Sequence, residues 1–222
     1  MSAIEVAACT CQTIGADPNV VVFHECHHKY KRGDKELVSV TKVIREAWPI
    51  KKNFEAADPA VLEHARDRGV RVDAYFSEYL RSGSVRIVAG EWQEVVGRVK
   101  AVIEWWKGFK EPTARPQVIL ADDEVAGACD WIAGSGFIYD MKNVSALDPT
   151  YWIQVGAYAD LYATQEKEPC VGGALVHVSQ PKDKPVSVQA VKVDLKQAIA
   201  DWRTLRATWS MVNRLSPPSR RG

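Results

Sequence analysis

The stretch "FIYDMKN" (137–143) ends an apolar run with an acid, Asp140, and a base, Lys142. In a strand, residues two apart share a face, so both side chains point the same way. Ten residues earlier Asp130 closes another apolar run, "EVAGACD". If the two runs form a hairpin around "GSG" (134–136), Asp130 and Asp140 meet at one end of a sheet with Lys142 beside them. Converging carboxylates in a dry place are costly unless a cation joins them. Hard oxygen donors suit Mg²⁺ or Mn²⁺. Such an ion polarises phosphoryl oxygens and acidifies water. The lysine beside it would orient or deprotonate that water, or offset charge in the transition state. The chemistry expected is phosphodiester hydrolysis. Glu124, at the start of the run carrying Asp130, is a further candidate metal ligand.

Charge is distributed to match. The chain has 222 residues and a net charge of +1. Residues 29–52 hold eight Lys or Arg against three Asp or Glu, and residues 182–222 hold nine against three. Residues 111–170 hold three against ten. Basic flanks collect phosphates, and Lys51, Lys52, Arg203 and Arg206 are the candidate nucleic-acid contacts. An acidic centre collects divalent ions.

These residues need elements to hold them. Residues 20–38 read as two short strands around "KRGDK". Ser39 caps a helix that Pro49 stops. Asp58 and Pro59 open a second helix, expected to reach about Leu80 with a break or bend near Gly69. Trp92, Val95, Val96, Val99, Val102, Ile103 and Trp106 recur at helical spacing, which predicts an amphipathic helix over 91–109 with its tryptophans in the core. Three short strands follow, in "PQVIL", "EVAGACDWIAG" and "GFIYDMKN". A helix starts near Asp148 and Pro149. "VGGALVHVS" and "VSVQAVKVD" are strands, and "LKQAIADWRTLRATWSMV" closes as a helix. This is an α/β (α+β) arrangement, a central mixed sheet flanked by helices, expected as one domain over 1–214 with a flexible tail at 215–222.

No run of about 18 apolar residues is present, so no membrane helix is expected. The first fifteen residues do not have the pattern of a signal peptide. Five cysteines without such a signal fit reduced thiols in a cytoplasm. Cys9, Cys11, His24, Cys26, His27 and His28 carry zinc-binding atoms at a spacing that fits no common zinc pattern.

An aspartate strand, a ten-residue step, Asp-x-Lys, then a helix containing "QVGAY" resembles the PD-(D/E)XK nuclease superfamily, in its RecB-type and phage exonuclease branch. The branch's Gln-x-x-x-Tyr motif corresponds to Gln154 and Tyr158, which a spacing of four puts on one helix face. Upstream, "HHKYKRGDKELVSVTKVIREAWP" is similar to the entry of phage-type members. "ARDRGVRVDAYFSEYL" resembles their helix of Ala, Arg-Gly and a metal-binding histidine. The resemblance covers residues 27–165. It departs at that histidine: four residues after Gly69 this chain has Asp73, while His64 should face elsewhere. Aspartate suits a hard ion at least as well.

The resemblance implies a restriction-endonuclease-like core. It implies a Mg²⁺- or Mn²⁺-dependent DNA exonuclease resecting linear ends in phage-type recombination, replication or repair. Asp130, Asp140, Lys142, Gln154 and Tyr158 would be its catalytic set, and Asp73 a metal ligand. It further implies a single-strand annealing or single-strand binding protein as partner, and the host cytoplasm as location. The iron–sulfur cluster of some relatives needs three clustered C-terminal cysteines; only Cys170 lies there. Two alternatives stay open: a silent nuclease-fold DNA-binding protein, and an interaction protein stabilised by zinc at Cys9–His28.

Overall fold

The structure is a computed structural model that describes residues 20–24, 29–48, 58–109 and 113–215. Lys51, Lys52, the side chains of the Cys9–His28 group and most of the expected tail lie outside the described residues.

The elements run β1 (Val21–His24), β2 (Lys29–Arg32), β3 (Lys35–Ser39), α1 (Val40–Ala47), α2 (Pro59–Ser82), α3 (Gln93–Lys107), β4 (Ala114–Ala121), β5 (Val125–Ala133), β6 (Phe137–Lys142), α4 (Pro149–Glu166), β7 (Gly172–Ser179), β8 (Ser187–Lys192) and α5 (Leu195–Leu215). The entry segment is three strands rather than two. Turn residues explain most boundaries. Ser39 accepts the Lys42 N–H at 3.1 Å and starts α1. Asp58 and Asp148 cap α2 and α4, each followed by proline. Gly83, at φ 74°, ends α2 in the left-handed conformation a glycine adopts without strain. The expected interruption at Gly69 does not occur: α2 is one helix of 24 residues. A single interior glycine costs about 1 kcal/mol, less than a long, capped helix gains by burying Val72 and Phe76.

Eight strands form one mixed sheet. β5 is its hub. β4 runs antiparallel along its whole length. The other edge is shared: β3 pairs parallel at Val125 and Ala126, and β6 pairs antiparallel at Trp131 and Ile132. β6 then pairs parallel with β7, and β7 antiparallel with β8. Between β3 and β6 the shared edge of β5 has no strand partner among the described residues. There a Cβ on Gly127 would come within 2.7 Å of the Tyr158 ring, so only glycine lets α4 lie this close.

Two cores sandwich the sheet. α1, α4 and α5 close one around Val43, Tyr158, Leu175 and Trp202. α2 and α3 close the other around Phe76, Val99, Trp106 and Trp131. Of the tryptophans expected in the core, Trp106 is buried there and Trp92 is half-buried at its edge, under His64 and Arg71.

Strands β4 and β5 change sides part-way. On β5, Val125 and Cys129 belong to the first core, and Trp131 and Ala133 to the second, although an even spacing should keep them on one face. On β4, Val118 and Leu120 face the first core and Ala114 the second. The exchange centres on Gln117 and Asp130. They stand opposite each other, and theirs is the one pair missing from an otherwise continuous ladder. Gln117 has φ 53°, a left-handed conformation that is uncommon outside glycine.

Candidate active site

The β5–β6 hairpin pairs for two residues beyond its turn and then opens. Asp130 fills the opening. Its Oδ2 accepts the Met141 N–H at 2.6 Å, a hydrogen that a continuing ladder would give to the β5 backbone. Asp140 and Lys142 lie on the same face of β6, as alternation requires, with Nζ 2.6 Å from Asp140 Oδ2. That contact is a buried ion pair with the ammonium directly against Oδ2. Lys142 also donates to Gln154 Oε1 at 3.0 Å, and Gln154 Nε2 donates to the Tyr158 hydroxyl at 2.7 Å. The ammonium also lies 5.0 Å from the centre of the Tyr151 ring. Two residues one turn apart on α4, Tyr151 and Gln154, thus hold the lysine together with Asp140 of β6.

Asp73 arrives from the other face of the sheet, on α2. Its Oδ2 accepts from Gln117 Nε2 at 2.6 Å, and its Oδ1 is buried with no partner. It is close enough to Asp130 and Asp140 for the three charges to disturb one another. Burial, then the charge of Asp140, pushes Asp73 up to about 7. Burial, then Asp73 and Asp140, raises Asp130 well above the usual carboxylate range. Burial raises Asp140 too, and Lys142 does not cancel the effect, because a carboxylate 1% exposed has lost nearly all its hydration. Burial works against the charge of Lys142, yet Asp140 and then Asp130 hold it above the ordinary lysine value. As placed, without a metal ion, Lys142 is an ammonium, the form that orients groups and offsets negative charge.

The donor set fits a hard divalent ion: three carboxylates, all oxygen, with Asp73 Oδ1 buried and lacking a hydrogen bond. Each carboxylate has nonetheless engaged a protein group, and among the described residues no group of three His, Cys, Asp or Glu side chains is arranged to hold an ion as it stands.

Not every sequence candidate comes here. Glu124 sits in the β4–β5 turn, six residues from Asp130, or about 20 Å along a strand. Its carboxylate pairs with Arg206 at 3.1 Å. The structure therefore gives no support to Glu124 as a ligand. Arg206 is spent on the same turn, holding both Asp122 and Glu124. Arg203 pairs with Asp160 at 2.6 Å. Both arginines are thus engaged in ion pairs, that of Arg203 on the open surface. Arg206→Ala is expected to lower stability by about 1–2 kcal/mol through the lost charged hydrogen bonds. It should leave the salt dependence of DNA binding unchanged, which denaturant melts and a salt titration would show together. His64 does face elsewhere, bonded to Glu94 at 2.5 Å and stacked on Trp92.

Gln117 and Tyr151 were not foreseen. The available signal was a polar residue after a proline inside an apolar run, "RPQVIL", which marks an irregular strand.

No family model matches the chain, and no curated protein matches it. Among solved structures it is similar to an exonuclease candidate from Eubacterium rectale, with a TM-score of 0.51, 14% identity and 80% of each chain covered. A phage-related exonuclease from Haemophilus somnus aligns at a TM-score of 0.38 and 11% identity over 81% of this chain and 96% of that one. An alkaline exonuclease from Laribacter hongkongensis aligns at 0.34 and 11% over 80% and 92%. At 14% identity the first likeness is one of fold; the two looser ones carry nothing further. Among the described residues no helix is long and apolar enough to cross a membrane.

Proposed function

We propose that this chain is a Mg²⁺- or Mn²⁺-dependent DNA exonuclease of the PD-(D/E)XK type, hydrolysing phosphodiester bonds at the ends of linear DNA. The observation that carries the reading is the gathering at one opened hairpin of three carboxylates, the buried Asp140 and the half-buried Asp73 and Asp130, with an ammonium held by Asp140, Gln154 and Tyr151. A fold shared with an exonuclease candidate supports it. Carboxylates raised together by burial and by one another's charge are the mark of a functional-site candidate.

Asp73, Asp130 and Asp140 would hold the ion. When bound, it supplies Lewis acidity toward a phosphoryl oxygen and toward water. Lys142 contributes a fixed positive charge beside the scissile group, where negative charge grows in the transition state. Gln154 and Tyr158 keep that charge in place. Phage-type recombination, replication or repair, a single-strand annealing or single-strand binding partner, and a cytoplasmic setting extend the same reading.

End-labelled linear and closed circular duplexes, incubated with Mg²⁺ or Mn²⁺, test it. Release of short labelled products from linear DNA alone is expected, and is abolished by EDTA. Metal-independent release, or equal attack on circles, overturns the exonuclease reading. DNA binding without cleavage under every metal condition would leave the silent DNA-binding alternative instead.

A further inference from the structure

Gln117 is in a place that glycine should occupy. Its φ of 53° is strained for any side chain, and glycine or asparagine adopts it more readily. Nothing in the backbone asks for a long amide there. The side chain must therefore be what the position needs. It spans from β4 to α2, 44 residues away in sequence, and donates to Asp73 Oδ2 at 2.6 Å. That bond takes one oxygen of the carboxylate and leaves the other, Oδ1, buried without a partner. In the ladder Gln117 is also the residue opposite Asp130. The strained residue thus touches one of the three carboxylates and stands across from another.

The geometry points to Gln117 as a positioning residue: it fixes the Asp73 carboxylate so that Oδ1 faces the divalent ion. This rests on the metal-dependent reading above. A carboxamide suits the task for a chemical reason. It donates a hydrogen bond without bringing a charge. Lysine or arginine would hold the carboxylate equally well but would cancel its pull on a cation. Glutamate would add a fourth repelling carboxylate. Groups that orient metal ligands by hydrogen bonds are part of the site's affinity, and losing one commonly costs about 10–100-fold. The strained turn at Gln117 is then the means by which a residue on a sheet strand reaches a ligand on a helix.

Mn²⁺ binding, followed by the loss of the free-ion electron paramagnetic resonance signal, tests this without DNA or turnover. Two variants are used. Gln117→Gly relieves the backbone and removes the amide. Gln117→Asn tolerates the backbone, keeps an amide, and is one methylene too short to reach. Far-UV circular dichroism and melting check that both fold. Both should bind Mn²⁺ at least about 10-fold more weakly than the unaltered chain. In an Asp73→Asn background, the same Gln117 substitutions should add less than about 2-fold, because the amide acts through Asp73. Affinity within about 2-fold of wild type for either folded variant overturns the role of Gln117 and leaves the metal reading standing. A full further loss in the Asp73→Asn background also overturns it, since Gln117 would then act by another route. If the unaltered chain takes up no Mn²⁺, the metal-dependent reading falls and this inference falls with it.

Discussion

Lys142→Ala is expected to cut the rate of DNA cleavage at least about 100-fold, the usual order for a group acting directly on the reacting centre. Two consequences of the substitution must be separated. One is chemical, the loss of the positive charge beside the scissile phosphate. The other is structural, because Asp140 would keep a buried charge with its ion-pair partner gone, and breaking a buried pair costs about 3–5 kcal/mol. Protonation of Asp140, whose affinity for a proton burial already raises, softens that cost. Lys142→Arg tells the two apart. It keeps the charge and most of the stability, yet a guanidinium is larger and planar and cannot place a point charge where Gln154 holds the ammonium. Single-turnover cleavage and thermal melts should show Lys142→Ala slow and less stable, and Lys142→Arg slow but close to wild-type stability. Wild-type turnover in a folded Lys142→Ala protein would remove the lysine from the mechanism.

In metal-free buffer, stability should fall as pH rises from about 4 to about 7. The group responsible is Asp73. Unfolded, it ionises near the ordinary 3.8; folded, at about 7. Below the lower value both states carry the proton and there is no penalty. Between the two the folded state alone keeps it, so each rise in pH favours the unfolded chain. Above about 7 the loss is complete, on the order of 4 kcal/mol at about 1.4 kcal/mol per unit, and Asp130 and Asp140 shift the balance the same way. A divalent ion on these carboxylates reverses the sign. At pH 7.5, Mn²⁺ at about 100 times its dissociation constant should restore about 3 kcal/mol. Melting temperatures across pH, with and without Mn²⁺, measure this, and Asp73→Asn should flatten the metal-free profile. A flat profile in the unaltered chain would mean that Asp73 is not ionising in a dry site.

Most of the elements were legible because short-range signals set them. Asp58-Pro59 and Asp148-Pro149 start α2 and α4 where expected. The "GSG" turn joins β5 and β6, so strand alternation alone puts Asp140 and Lys142 on one face. The spacing of four brings Gln154 and Tyr158 together. What could not be read is set by contacts between distant segments. The sharing of one β5 edge by β3 and β6 depends on Gly127 letting Tyr158 in, and no local pattern encodes it. Glu124 and Arg206 looked like site residues by type, but they meet each other across 82 positions and neutralise each other there. Gly69 looked like a break because composition shows a glycine's cost and not the packing that outweighs it.

The missing rung between Gln117 and Asp130 also constrains how this sequence can vary in length. Both strands lose their step at the same rung, so the pairing on either side stays in register. A one-residue insertion or deletion in β4 or β5 alone would turn every side chain beyond it to the opposite face. It would expel one core's residues into the other and carry Asp130 away from the hairpin opening. Length changes in lineages that keep this site should therefore gather in the connections outside the two strands, or appear as matched pairs, one in each strand at the same level.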